Sequence, residues 1–200
     1  MTLEKHLCVG GVRMKKSVVV IKGSPRKHGN SAILADQVAA GARDAGAEVE
    51  TFFLQGMDIQ ACTACDACQD GIVDDCVLED DMAQLYPKLR RADAIVIASP
   101  VYWFTMNAQT KLFIDRLYAI VRADRNDLKK KKIGIILTYG DTDPYKAGAI
   151  NAIHTYQDMF RYIDAELVGT VYGTALHAGE IQKQKSLMEE AYQLGKKLVQ

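Results

Sequence analysis

The sequence predicts an α/β domain: a doubly wound parallel sheet of five strands, in the order 2-1-3-4-5, with helices on both faces. Two observations carry that expectation. Short β-branched runs alternate along the chain with longer stretches of helical periodicity, and a helix-like stretch separates each strand from the next. The third strand-like run is apolar at almost every position, as a strand covered on both faces must be. Strict alternation of this kind joins parallel neighbours through right-handed crossovers.

Taken in order, residues 17–22 (SVVVIK) are the first strand, ended by Gly23 and Pro25. Residues 30–45 turn helical, with Ile33, Leu34, Val38 and Ala42 on one side and Gly46 placed to end the helix. Residues 48–54 read as the second strand, and 55–79 as a long Cys-rich insertion. Residues 80–89 read as a helix opened by Asp80 and Asp81, acids that suit its positive N-terminal end. Residues 94–99 (AIVIAS) are the third strand. Asn107 is placed to cap a helix that reaches about residue 121, with Leu112, Phe113, Leu117 and Ile120 inward. The basic run 129–132 reads as a solvated turn before the fourth strand, 133–138. Residues 144–163 are expected to be helical, 166–172 to be the fifth strand, and 180–199 the last helix, with Leu187, Ala191, Leu194 and Leu198 at turn spacing.

Composition narrows the function classes. The chain has 200 residues, 48% hydrophobic and 25% charged, which suits a globular domain and excludes disordered and fibrous classes. Lysine plus arginine and aspartate plus glutamate each count 25, so no bulk field favours nucleic acid. The longest apolar run, 94–104, is broken by Ser99 and Pro100 and falls short of the ~20 residues of a membrane span. Residues 1–16 lack an apolar h-region, so a cytoplasmic location is expected. Residues 1–15 read as a poorly ordered N-terminal tail outside the domain 16–200; Cys8 lies in it as an incidental thiol, and Met14 is a second candidate start.

Two strand-to-helix loops carry the chemistry. In open parallel sheets ligands bind beyond the carboxyl ends of the strands, where strand order reverses, here between the first and third strands. The loop after the first, residues 23–31 (GSPRKHGNS), is rich in small residues that let backbone N–H groups close on an anion at a helix N-terminus. Ser24, Asn30 and Ser31 add side-chain donors, Arg26 a charge-assisted partner, and His28 a further candidate contact. Neither a Walker A nor a dinucleotide G-x-G-x-x-G pattern is present. The loop after the third strand sets Tyr102, Trp103 and Phe104 at the sheet edge, where Pro100–Phe104 can line a flat, π-rich ligand. Tyr139 and Gly140, after the fourth strand, face the same edge. Phosphate at one end and a flat ring at the other describe flavin mononucleotide (FMN). The blander alternatives are an ordinary polar loop and a core tryptophan.

The segments GSPRKHGNS, CVLEDDM and SPVYWFTMNAQTKLFIDR resemble the flavodoxin-like NADPH-dependent FMN reductase family, and most closely its iron–sulfur flavoprotein branch. The resemblance covers residues 16–200. It implies that Ser24, Arg26, Asn30 and Ser31 hold the FMN phosphate, and that Pro100, Val101, Tyr102, Trp103 and Phe104 line the ring with Tyr139, Gly140 and Asp141. It also implies homodimers or homotetramers.

Cys62, Cys65, Cys68 and Cys76 fall within one connection. Spacing of the C-x2-C-x2-C kind suits a [4Fe–4S] cluster. Zinc and free or disulfide-prone thiols stay open as alternatives. Asp74 and Asp75 would make the surroundings of Cys76 more negative. No acid–base or nucleophilic constellation stands out, so no catalytic side chain is nominated, as expected where a flavin performs the redox step. Tyr102, Trp103 and Tyr139 are candidates for stacking a nicotinamide or acceptor. The expected activity is transfer of electrons from NAD(P)H through FMN to a small acceptor such as a quinone or flavin. The alternatives are an electron carrier that exchanges with a ferredoxin-like partner without NAD(P)H, and a thiol-based redox sensor.

Overall fold

Parity along the strands builds the molecule. The computed structural model describes residues 15–200, so the expectations for Cys8 and most of the tail lie outside the described residues. Strands β1 (Ser17–Lys22), β2 (Glu48–Phe53), β3 (Ala94–Tyr102), β5 (Lys132–Tyr139) and β6 (Glu166–Thr174) form one parallel sheet in the order β2-β1-β3-β5-β6. This is the predicted 2-1-3-4-5 order. A short strand absent from the sequence reading, β4 (Thr105–Met106), folds back antiparallel on the end of β3.

Successive side chains of a strand point to opposite faces. Val18, Val20, Val96 and Ile136 therefore face α1 (Asn30–Asp44) and α5 (Lys185–Val199), where Val38, Ala191 and Leu194 pack on them. Val19, Ile21, Ile97 and Ile135 face α2 (Met82–Arg91), α3 (Ala108–Arg116) and α4 (Ala149–Tyr162), meeting Leu85, Phe113 and Phe160. Each such buried side chain contributes roughly 1.5–3 kcal/mol, so both faces are firmly covered. Gly46 ends α1 in the left-handed region (φ 91°), with Ala47 N–H donating to Ala42 O at 3.0 Å. No helix among the described residues is long and apolar enough to cross a membrane.

Several helix bounds differ from expectation for local reasons. Helix α2 begins at Met82 because the carboxylate of Asp80 turns inward to Arg116. Helix α4 begins at Ala149 because Gly148 is left-handed (φ 73°), so residues 144–148 form turns instead of helix. Residues 180–183 form a separate 3-10 turn, broken from α5 at Gln184, whose ψ of 80° is not helical.

Candidate functional site

The loop after β1 is built tightly. Gly23 N–H donates to Ala98 O at 2.7 Å, tying the loop to β3. A Cβ on Gly23 would lie 1.9 Å from Thr110 Oγ1, and one on Gly29 would lie 2.4 Å from Ser24 Oγ, so a side chain at either place forces its neighbour to move. Ser24 Oγ accepts from the Arg26 N–H at 3.1 Å, bending the chain towards α1. Helix α1 has Gly29 at its cap position, no side-chain cap bond and no acid in its first turn. Its first-turn N–H groups have no intrahelical partner and face the loop. Ser31 Oγ is buried with no hydrogen-bond partner. An orphaned buried hydroxyl at an uncapped helix N-terminus fits a phosphate oxygen. The Arg26 and His28 side chains are exposed.

Asn30 has protein partners of its own. Its side-chain amide donates to Ala175 O at 3.2 Å and His177 O at 2.9 Å, while its Oδ1 accepts from Gly179 N–H at 2.9 Å. The side chain clasps the loop after β6 and is not free as an anion donor; its backbone N–H still opens α1.

The loop after β3 is a hairpin. Tyr102 pairs with Thr105 across a two-residue turn of Trp103 (φ 47°) and Phe104 (φ 67°). Two left-handed residues in that position make a turn of the I′ kind, normally filled by Asn-Gly. Trp103 is 92% exposed and Phe104 51%, so Trp103 is not the core residue that a lone tryptophan beside an apolar strand would suggest. Left-handed backbone in a bulky residue stores strain, and strain of this sort clusters at functional sites. Pro100 and Val101 are half-buried below the tip. Tyr139 is buried, its ring 6.5 Å from that of Tyr172, and burial, with Tyr172 and Asp143 nearby, pushes its hydroxyl up. Gly140 is exposed beside it. Asp141 Oδ1 accepts from Asp143 N–H at 3.1 Å, and that bond, with the Thr142 N–H, holds its carboxyl below the ordinary range. Asp141 thus shapes its own turn.

Sequence reasoning missed the residue between the two loops. Asn107 sits at the cap position of α3 but makes no side-chain cap bond. Its Nδ2 instead donates to Gly23 O at 2.6 Å.

The cysteine connection is held by charges. Asp80 and Arg116 are a fully buried ion pair, and Arg116 also donates to Gln60 O at 2.9 Å. Asp75 and Asp127 both pair with Arg90, and Arg125 Nη2 donates to Asp74 O at 2.7 Å. Arg90 therefore compensates the Asp75 carboxylate, while that of Asp74 stays in solvent.

Cys62 and Cys65 are exposed, Cys76 half-buried and Cys68 buried, all as free thiols. Burial pushes the Cys68 thiol up, with Cys76 near enough to add to it. The donor set suits iron–sulfur or zinc in kind, but not in placement. Among the described residues no three His, Cys, Asp or Glu side chains gather at metal-holding range. The backbone gives the reason. Ala64 and Asp66 are left-handed, and from Asp66 the chain coils, with Gln69 and Asp70 N–H groups both donating to Asp66 O. That coil turns Cys68 inward and leaves Cys62 and Cys65 outside. A cavity of about 1060 Å3 adjoins this loop, lined by Cys62, Asp66, Tyr118, Arg122, Met159 and Tyr162, and by no residue of the loops after β1, β3 or β5.

A doubly wound sheet with an anion-fitted helix terminus after its first strand and an aromatic hairpin after its third is a flavodoxin-like scaffold. Residues 16–178 match the family model of NADPH-dependent FMN reductases, and the chain belongs to that family. It is accordingly an NAD(P)H-dependent oxidoreductase that works through FMN. Among its relatives, an iron–sulfur flavoprotein of Methanosarcina thermophila is 38% identical over 140 residues, 70% of this chain and 71% of that protein. One from Archaeoglobus fulgidus is 33% identical over 184 residues, 91% of this chain and 78% of that protein. In fold, the NAD(P)H:quinone oxidoreductase of Methanothermobacter marburgensis superposes with a TM-score of 0.73 at 17% identity, over 94% of this chain and 98% of the other.

Proposed function

We propose that FMN lies across the carboxyl edge of the sheet, with its phosphate in the loop after β1 and its ring against the β3–β4 hairpin. The observation that carries this reading is the unpartnered, buried Ser31 Oγ at the open N-terminus of α1. The phosphate is held by Ser24, Ser31, the first N–H groups of α1 and the Arg26 guanidinium. Pro100, Val101, Tyr102, Trp103 and Phe104 flank the ring, with Tyr139, Gly140 and Asp141 across from them. A bound flavin supplies two-electron redox chemistry, with NAD(P)H as donor and a small acceptor, a quinone or flavin, as recipient. The side chains bind, orient and exclude water; none is needed to move a proton. The working form is a cytoplasmic homodimer or homotetramer.

A second reading is favoured by the four thiols and by the names of the relatives. Here Cys62, Cys65, Cys68 and Cys76 hold a [4Fe–4S] cluster, and a ferredoxin-like protein exchanges electrons in place of a nicotinamide. It requires the loop to draw Cys62 and Cys65 inward.

The deciding experiment purifies the protein without oxygen, records its absorption spectrum, assays iron and sulfide, and follows NADPH and NADH oxidation with a quinone. Flavin bands with nicotinamide turnover support the reductase. Failure to take up FMN at all defeats both readings. If no nicotinamide is consumed but reduced ferredoxin bleaches the flavin, the second reading stands and the first is lost. Cys65→Ser should remove any bound iron and leave FMN content unchanged, because Cys65 is exposed and outside both cores. Loss of flavin together with the iron would contradict that separation.

A further inference from the structure

We infer that Asn107 joins the phosphate loop and the ring loop into one coupled site, so that an anion seated at the first strengthens binding of a ring at the second. The inference rests on the reading that these loops hold the two ends of FMN. Asn107 is 1% exposed, and its neighbours Ser99 and Thr110 are fully buried. Its Nδ2 donates to Gly23 O at 2.6 Å and to Gln109 Oε1 at 2.7 Å. Its Oδ1 accepts from Thr110 Oγ1 at 2.6 Å and lies 3.0 Å from Ser99 Oγ. The Asn107 N–H donates to Ser99 Oγ at 3.2 Å. A carbonyl can only accept, so the bond to Gly23 fixes which end of the amide is nitrogen.

Ser99 Oγ in turn lies 2.7 Å from the carbonyl of Pro100, near the end of β3 and the first of the residues proposed to flank the ring. A continuous polar path, buried as far as Ser99 and half-buried at its end, therefore runs from Gly23 through Asn107 and Ser99 to Pro100. Gly23 is held on both sides, its N–H by Ala98 O and its carbonyl by Asn107 Nδ2. Buried polar networks with every member bonded are stiff, and leaving one member unpaired is costly. A displacement of the Gly23 carbonyl is thus passed to Pro100 instead of being absorbed. Asn107 acts through Gly23 and Pro100, which makes it a positioning residue.

Thermodynamic coupling between two sites is reciprocal and typically about 5–150-fold. The test measures dissociation constants by flavin fluorescence for FMN, and for riboflavin with and without inorganic phosphate. Wild type is compared with Asn107→Asp and Asn107→Ala. Asn107→Asp keeps the size and the acceptor near Ser99 and Thr110 but sets an oxygen against the Gly23 carbonyl. In wild type, phosphate should tighten riboflavin binding by about fivefold, at the low end of such couplings. In both variants that effect should vanish, and the preference for FMN over riboflavin should fall by a similar factor. A residue that merely supports the fold would weaken both flavins in proportion and leave the phosphate effect intact, which overturns the inference. So does wild-type protein that binds FMN but whose riboflavin affinity ignores phosphate. Wild type that binds neither flavin defeats the reading of the loops itself. Should both Asn107 variants fail to fold, Ser99→Ala breaks the path at its other link. It must likewise abolish the phosphate effect, and its persistence there counts against the coupling.

Discussion

Single atoms decide whether this edge of the sheet can be occupied. Gly23→Ala would set a methyl carbon 1.9 Å from Thr110 Oγ1 and 3.2 Å from Asn107 Oδ1. We expect about 1–3 kcal/mol lost in urea denaturation, typical of overpacking, with weakened flavin retention; unchanged stability would mean that Thr110 simply rotates away. Asp80 is a different case, a charge with 0% of its side chain exposed. Burial by itself would raise its pKa, but the bonds from Arg116 and from the Gln60 and Met82 N–H groups outweigh that and hold it below the ordinary carboxylate value. A carboxyl depressed in the folded state adds stability that is complete above its unfolded value of about 3.9 and is lost as pH falls through the folded one. Asp80→Asn should therefore cost about 3–5 kcal/mol at neutral pH, since it leaves the Arg116 charge buried without a counterion. The gap between variant and wild type should narrow as pH falls below about 4. Urea midpoints taken from pH 7 to pH 3 would check both the size and the sign.

At the scale of elements, the β3–β4 hairpin places recognition and stability in opposition. Left-handed backbone costs a bulky residue roughly 1–2 kcal/mol relative to glycine or asparagine. Replacing Trp103-Phe104 by Asn-Gly relieves both residues and should raise stability by roughly 2–4 kcal/mol, less the packing Phe104 loses against Gly148. The same change should weaken flavin binding or slow turnover with NAD(P)H, because both rings leave the edge. A thermal melt and a steady-state assay on one preparation would settle it; a variant that is more stable and fully active would leave the strain without a purpose. The hairpin also shows why an element can escape a sequence reading. Trp-Phe is the opposite of the composition that announces a two-residue turn, so only packing against α4, where Gly148 leaves room for Phe104, reveals it.

For the molecule as a whole, the strands and helices were legible because their signals are local: β-branched runs such as 17–22 and 94–99, helical spacing, and Gly46 at a helix end. The placing of two unusual loops on one edge followed from strand order. What could not be read were bonds between distant segments. Asn30 reaches carbonyls 145 and 147 residues away, and Asp80 meets Arg116 across 36 residues. Four cysteines at ligand spacing left a cluster, zinc and free thiols open, and spacing says nothing of which way a coil beginning at Asp66 will turn them.

The arginine–aspartate anchoring of that coil has a consequence in ionic strength. Arg90 with Asp75 and Asp127, Arg122 with Asp124, and Arg125 with Asp127 lie partly in solvent, whereas the sheet is held by apolar packing and backbone bonds. Screening shortens from roughly 10 Å at 0.1 M salt to about 3 Å at 1 M. Concentrated sodium chloride should speed amide hydrogen exchange across residues 62–78 and leave β1, β3 and β5 protected; equal acceleration in both would show that packing, and not charge, holds the loop. Electrolyte concentration then loosens the part of the chain that would have to move for the four thiols to meet, while the sheet beneath it keeps its packing.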